Sequence, residues 1–234
     1  MSSTNTKARR AGVLYFLFMI VAIVSEYLFP SFRVSGDASA TAGNITAAQL
    51  TYQLEILAGF VTLIIFIFLV VSLYDLFEAV DKSLGMLMVL LVSIGVAISL
   101  ANLFNKFAPL VILSGADYLS EFTKPQLDTL ALGFLEFHRK GASFSMAFWG
   151  LWLFPFGLLV VRSGFLPRVL GILLFIAGFA YLTSGVTSIV LPEHRQAVSR
   201  ILMPLYFGEV PIVFWLLIKG AKVQQPQAQS SPVS

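Results

Sequence analysis

Six long apolar stretches constrain the fold of this chain more than any other feature. A helix of about 20 apolar residues crosses the ~30 Å hydrocarbon core of a bilayer. At such lengths only helices satisfy their own backbone hydrogen-bonding groups within lipid. The sequence therefore predicts an all-α transmembrane bundle of six helices. The expected spans are residues 11–32, 54–75, 83–106, 141–162, 167–191 and 201–219.

The composition excludes several other classes of protein. Hydrophobic residues make up 58% of the chain and charged residues 12%, whereas a soluble domain carries roughly 25% charged residues. Cysteine is absent and there are two histidines, which excludes thiolate and multi-histidine metal sites. No basic run with interleaved aromatic residues indicates nucleic-acid binding. We expect the lipid bilayer as a partner, no nucleic acid, no bound metal and no cofactor.

The charges at the start of the chain predict its orientation. An even number of spans places both termini on one side, and Lys7, Arg9 and Arg10 precede the first span. Basic residues before the first helix usually fix that end in the cytoplasm. The first apolar stretch is also longer than the core of a signal peptide and contains Glu26, so we expect it to be retained. Residues 1–222 then form one transmembrane domain, and residues 223–234 a disordered cytoplasmic tail.

Two regions lie between spans on the outer side. Residues 33–51 are rich in Gly, Ala, Ser and Thr and are interpreted as an outer loop. Thr123, Pro125 and Gln126 instead form the signature of a helix start, with a capping threonine and a capping-box glutamine. Apolar residues then recur at helical spacing up to His138. We expect an additional helix on the outer surface that leads into the fourth span.

Several segments resemble a known family. They are RAGVLY at 10–15, GDA at 36–38 with TAGNI at 41–45, SGFLPRVLG at 163–171, GE at 208–209 and WLLIKG at 215–220. Together they resemble the bacterial membrane family described as domain of unknown function 4386, over residues 8–222. The resemblance implies a six-helix multi-pass protein of the bacterial inner membrane. It implies no activity and no catalytic residue.

Polar side chains gather in the outer half of the predicted bundle. Ionisable residues within membrane spans usually face the bundle interior or a wet cavity. We therefore expect a vestibule that opens to the outside above a packed apolar floor. In the alternative interpretation, Glu26 and Glu55 only reach the lipid headgroups. The candidate ligand-binding residues are Glu209, His138, Glu26, Glu55, Asn102 and Tyr181.

His138 and Glu209 carry the sharpest expectations. His138 lies on the apolar stripe, so it should face the bundle, either bonded to a neighbouring carboxylate or acting on a ligand or proton. Glu209 lies near the middle of the sixth span between Pro204 and Pro211. Pro211 lacks an amide hydrogen, which predicts a kink beside the carboxyl group. A structural glutamate at a tolerated kink is the alternative.

Three functions are compatible with this pattern. The first is binding or transport of a small or lipid-like ligand through the outward vestibule. The second is a membrane-embedded enzyme, such as a metal-assisted lipid hydrolase, although Gly-x-Ser-x-Gly and His-Glu-x-x-His motifs are absent from the sequence. The third is a structural or accessory subunit. A broken sixth helix on a continuous path favours transport, a bound metal favours the enzyme, and fully paired carboxyl groups favour the structural role.

Overall fold

The computed structural model describes residues 3–221, and this part of the chain is helical, without strands. Six helical segments are long and apolar enough to cross a membrane, which confirms the predicted all-α bundle. The predicted cytoplasmic tail lies outside the described residues. In chain order, spans 1 to 6 are Ser3–Leu28, Gln49–Phe77, Lys82–Ile112, Lys124–Arg162, Arg168–Val190 and Pro192–Lys219.

Nine α-helices within the described residues build these spans and one connection. They are α1 (Ser3–Ile23), α2 (Ala38–Ala47), α3 (Gln49–Phe77), α4 (Lys82–Ile112), α5 (Lys124–Leu151), α6 (Leu153–Arg162), α7 (Arg168–Val190), α8 (Arg195–Tyr206) and α9 (Val210–Phe214). Spans 1 and 6 end in π-helical turns, Val24–Leu28 and Trp215–Lys219. A 3₁₀ turn, Phe207–Glu209, separates α8 from α9.

Capping and proline residues set the limits of α5. The Thr123 amide donates to the Gln126 side chain at 2.8 Å, which completes the predicted capping box. From Lys124 the helix continues without a break, so the predicted additional helix and the fourth span are one helix. It ends at Leu151 because Pro155 offers no amide hydrogen to the Leu151 carbonyl.

The loop between spans 1 and 2 departs from the sequence interpretation. Residues 33–51 are not an irregular loop, because α2 occupies much of this segment. Asp37 caps α2 by accepting a hydrogen bond from the Ala40 amide at 2.8 Å. Ile45 is buried, and α2 packs against α5. The small residues therefore form a short helix that packs on the bundle.

The spans form a closed ring in chain order. Each span packs against the next, and the end of span 6 packs against α1. Arg9 donates to the Ile218 carbonyl at 3.3 Å, so the described ends of the chain lie together. We call this end of the ring the terminal face, and the end that carries α2 and residues 113–123 the loop face.

An apolar core closes the ring toward the terminal face. The Tyr15 ring lies 6.4 Å from the rings of both Trp152 and Phe156, which bridges span 1 and span 4 through the centre. Most of the other large, fully buried side chains lie in the half of each span nearest the terminal face, whereas Ile45 and Tyr52 belong to a smaller buried cluster near the loop face. Those nearest the terminal face include Leu69, Leu73, Phe77, Met88, Leu153, Leu159, Leu174, Ile212 and Leu216.

Glycines bring spans 4 and 5 into backbone contact. A Cβ on Gly150 would lie 2.7 Å from the Gly178 carbonyl oxygen, and a Cβ on Gly157 would lie 2.9 Å from that of Gly171. Small residues allow transmembrane helices to approach this closely. We call these four residues the glycine seam.

Candidate functional site

The six candidate residues line two adjoining cavities rather than one vestibule. A cavity of about 200 Å³ near the loop face contains Glu26, Glu55, Asn102 and His138, and we call it the loop-side cavity. A deeper cavity of about 280 Å³, the central cavity, contains Tyr181 and Glu209. The residues that line both cavities are Leu63, Ser99 and Trp149.

An ion pair spans the loop-side cavity. The Lys106 Nζ atom lies 2.5 Å from the Glu55 Oε1 atom, and both side chains are largely buried, with 18% and 16% of their surface exposed. Glu55 therefore reaches a protein partner, and not only the headgroup region. The Tyr52 hydroxyl donates to the Lys106 carbonyl at 2.5 Å, which ties the same turn of α4 to α3.

His138 and Asn102 connect α5 to α4 through reciprocal hydrogen bonds. The Asn102 side-chain amide donates to the His138 carbonyl at 2.8 Å, and His138 Nδ1 lies 3.0 Å from the Asn102 carbonyl. A carbonyl only accepts, so Nδ1 carries the proton in this bond. The expected carboxylate partner of His138 is thus replaced by a backbone carbonyl. Gly141 makes the contact possible, because a Cβ there would collide with the Asn102 amide.

Glu26 and Ser145, which line the loop-side cavity, have no partner among the described residues. Glu26 is exposed at the π-helical end of span 1 and makes no hydrogen bond or ion pair. The Ser145 hydroxyl is buried and lacks a hydrogen-bond partner. A buried polar group without a partner costs free energy, so the Ser145 hydroxyl is available to a molecule inside the cavity.

All six spans contribute side chains to the central cavity, and Glu209 is its one ionisable carboxyl group. The Tyr15 hydroxyl donates to Glu209 Oε2 at 2.7 Å, and the Tyr181 phenol interacts with the same carboxyl group. The Tyr181 ring stacks on Tyr206 at 4.7 Å between centroids. Tyr206 in turn shares a hydrogen bond with Ser184. Two phenols, one of them held by stacking, therefore fix the direction of the carboxyl group.

The rest of the central cavity is mainly aromatic. Phe18 stacks on Phe66 at 4.6 Å, and Phe66 meets Trp149 and Trp152 edge to face at 5.2 and 5.3 Å. These rings stand on three different spans and hold one another in place. The cavity thus combines rigid aromatic walls with a single oriented carboxyl group.

Glu209 lies where the sixth span is interrupted. α8 ends at Tyr206, and the 3₁₀ turn Phe207–Glu209 precedes α9. Pro211 cannot donate to the Phe207 carbonyl, which is the physical reason for the interruption at this position. Gly208 faces span 5, since a Cβ there would lie 2.6 Å from the Leu173 carbonyl oxygen. The break expected from the prolines is present beside the carboxyl group.

Lys106, Tyr15 and the aromatic walls of the central cavity are not among the candidate ligand-binding residues predicted from the sequence. Lys106 lies four residues after Asn102, so helical spacing alone could have placed both on one face of α4. Tyr15 carried no such signal, because its partner is 194 positions away in the chain. Among residues 3–221, no three His, Asp or Glu side chains converge in a metal-binding group.

The chain belongs to the family described as "Domain of unknown function (DUF4386)", whose profile matches residues 10–220. This confirms the resemblance drawn from the sequence. An uncharacterised protein of Archaeoglobus fulgidus is 31% identical over 171 residues, which cover 73% of this chain and 86% of that protein. No solved structure matches the chain. The chain is therefore a multi-pass membrane protein of this family; the bacterial inner membrane and the cytoplasmic termini remain predictions.

Proposed function

We propose that this member of the family binds a small or lipid-like ligand inside its ring of helices and transports it across the membrane. One observation carries the proposal: Glu209 lies in a break of the sixth span and lines a cavity to which all six spans contribute. Discontinuous transmembrane helices commonly form the substrate sites of transporters near mid-membrane. A substrate site accounts for a helix break at this position, whereas helix packing alone does not require one.

The arrangement of the two cavities supports entry from the loop face. They adjoin at Leu63, Ser99 and Trp149, so a ligand admitted beside Glu26 passes only these side chains to reach Glu209. On the other side of Glu209, Tyr15 and the aromatic core close the route toward the terminal face. On this proposal the structure is the conformation of the transporter that is open toward the loop face.

The two alternatives receive less support. A structural role predicts that every carboxyl group is paired, and Glu55 is indeed paired with Lys106. Glu26, however, has no partner among the described residues, and cavities remain beside both Glu26 and Glu209. A metal-assisted lipid hydrolase would need at least three metal ligands, and no group of three His, Asp or Glu side chains converges among residues 3–221.

Native mass spectrometry of the purified protein tests the proposal. We expect a co-purifying ligand on the wild type, and at least tenfold lower occupancy on Glu209→Gln, which keeps the shape of the side chain. The matched control is Glu121→Gln, which removes a carboxylate from an exposed position between spans 3 and 4. Equal occupancy on all three proteins, with equal melting temperatures, would show that Glu209 does not bind the ligand.

Transport is tested separately, in vesicles that contain the purified protein. The ligand identified by mass should accumulate inside wild-type vesicles that already hold unlabelled ligand, and should not accumulate with Glu209→Gln. Ligand that binds to the wild type yet never crosses the vesicle membrane would reduce the function to binding.

A further inference from the structure

We propose that the central cavity takes a small organic cation, an amine or quaternary ammonium group with an apolar body. This inference rests on the proposed function and specifies its substrate class. The cation would sit between the aromatic walls with its charge against Glu209. The observation that carries it is one oriented carboxyl group in a cavity lined by five aromatic side chains, those of Phe18, Phe66, Trp149, Trp152 and Tyr181.

The first argument is charge balance. An ionised carboxyl group inside a membrane bundle is costly unless a positive charge or good donors accompany it. Among residues 3–221, Glu209 forms no ion pair with lysine or arginine, and its partners are two neutral phenols. A carboxylate can accept about four hydrogen bonds. The two phenols therefore leave capacity on Glu209 for a positively charged ligand.

The second argument is the sign of the charge along the route through the two cavities. The linings of the two cavities contain three carboxyl groups, of Glu26, Glu55 and Glu209, and one ammonium group, of Lys106. Lys106 is already paired with Glu55. A path with excess negative charge raises the local concentration of cations and repels anions. An anionic ligand would meet no free lysine or arginine on this route among the described residues.

The third argument is the chemistry of the walls. The faces of Trp, Tyr and Phe rings attract cations, and aromatic cages are a common way to bind quaternary ammonium groups. Phe18, Phe66, Trp149 and Trp152 surround the space beside Glu209. A hydrated metal ion would gain little from such walls, whereas an organic cation gains from both the rings and the carboxylate.

The size of the cavity limits the ligand. Its volume of about 280 Å³ lies at the lower end of the roughly 300–1,000 Å³ usual for ligand sites. A single aromatic ring with a trimethylammonium head is of suitable size. Larger amphiphiles would have to extend into the loop-side cavity.

Three probes of one shape and different charge test the inference on the wild-type protein. Benzyltrimethylammonium is the cation, neopentylbenzene its uncharged isostere, and benzylsulfonate the anion. Binding is measured by equilibrium dialysis against the detergent-solubilised protein, with empty micelles subtracted. We expect the cation to bind at least tenfold more tightly than the isostere, and the anion not to bind.

Matched variants locate the site. Glu209→Gln should weaken cation binding at least tenfold, and Trp149→Leu several-fold, with partial rescue by Trp149→Phe because it restores an aromatic face. The controls are Glu121→Gln and Trp215→Leu, since Glu121 is exposed and Trp215 lines neither cavity. Both controls should bind the cation as the wild type does.

Other results separate the two proposals. If the isostere binds as tightly as the cation and is insensitive to Glu209→Gln, the cationic class is wrong while ligand binding stands. If no probe binds to a wild-type protein that melts cooperatively, the inference is wrong, and native mass spectrometry alone decides the proposed function. A neutral or anionic co-purifying ligand would likewise overturn the cationic class.

Discussion

Gly150→Ala should destabilise the bundle, although alanine is the better helix former. The added Cβ would lie 2.7 Å from the Gly178 carbonyl oxygen and 2.7 Å from the Leu182 amide nitrogen. Both contacts are backbone atoms, so no side chain can rotate away and α7 must move from α5. Overpacking of this kind costs about 1–3 kcal/mol.

Gly133→Ala is the matched control in the same helix. A Cβ at Gly133 meets no described atom within 4 Å outside its own helix. Both substitutions gain about 0.8–1.0 kcal/mol of helix propensity, so this gain cancels when the two variants are compared. The difference in unfolding free energy should therefore equal the cost of the clash, about 1–3 kcal/mol.

Thermal unfolding in one detergent measures this difference. For chains of this size a change of 1 kcal/mol shifts the melting temperature by about 2–4 °C. Gly150→Ala should therefore melt roughly 2–12 °C below Gly133→Ala. Tryptophan fluorescence follows the transition. If both variants melt together, the backbones of spans 4 and 5 are not in contact at Gly150, and the glycine seam is wrong.

Three further predictions concern the ion pair, the carboxyl group and the topology. Glu55→Gln should lower the unfolding free energy by less than the about 3–5 kcal/mol that breaking a fully buried ion pair costs, because the Lys106 side chain is 18% exposed. Adding Lys106→Gln to this variant should restore part of the loss in a double-mutant melting cycle. Tyr15→Phe should lower the unfolding free energy by about 1 kcal/mol through one lost hydrogen bond; an unchanged melting curve would contradict that bond. Gln126→Cys should react with an impermeant maleimide in intact cells, and Lys82→Cys only after permeabilisation; the reverse pattern would invert the orientation.

Apolar length predicted the number of spans but not the ends of the helices. Hydrophobicity marks where a chain meets lipid, whereas a helix continues as long as its backbone and side chains find partners. The helix of span 1 begins at Ser3, eight residues before the apolar stretch that starts at residue 11. Its polar first turns are held by Lys7, which donates to the Asp75 carbonyl at 2.8 Å and pairs with Glu78. These contacts join positions too far apart in the chain for periodicity to indicate.

The candidate site was predictable as a set of residues but not as an arrangement. Depth along each span follows from residue counts at 1.5 Å per residue, and this was enough to group the polar side chains. The rotation of each helix, which decides what they touch, depends on the packing of the whole ring. For this reason neither the division into two cavities nor the bond between Tyr15 and Glu209 followed from the sequence.

The break in span 6 and the carboxyl group of Glu209 depend on the same cavity. Within a bilayer, irregular backbone is tolerated only where it is covered by protein or lines a cavity, and an ionisable side chain is subject to the same condition. The ring meets both conditions at one depth, because Gly208 sits against the Leu173 backbone on one side while Glu209 faces the cavity on the other. A straight, fully apolar sixth span would carry neither irregular backbone nor an ionisable side chain at this depth. The break, the carboxyl group and the aromatic walls together are the structural basis of the proposed ligand site.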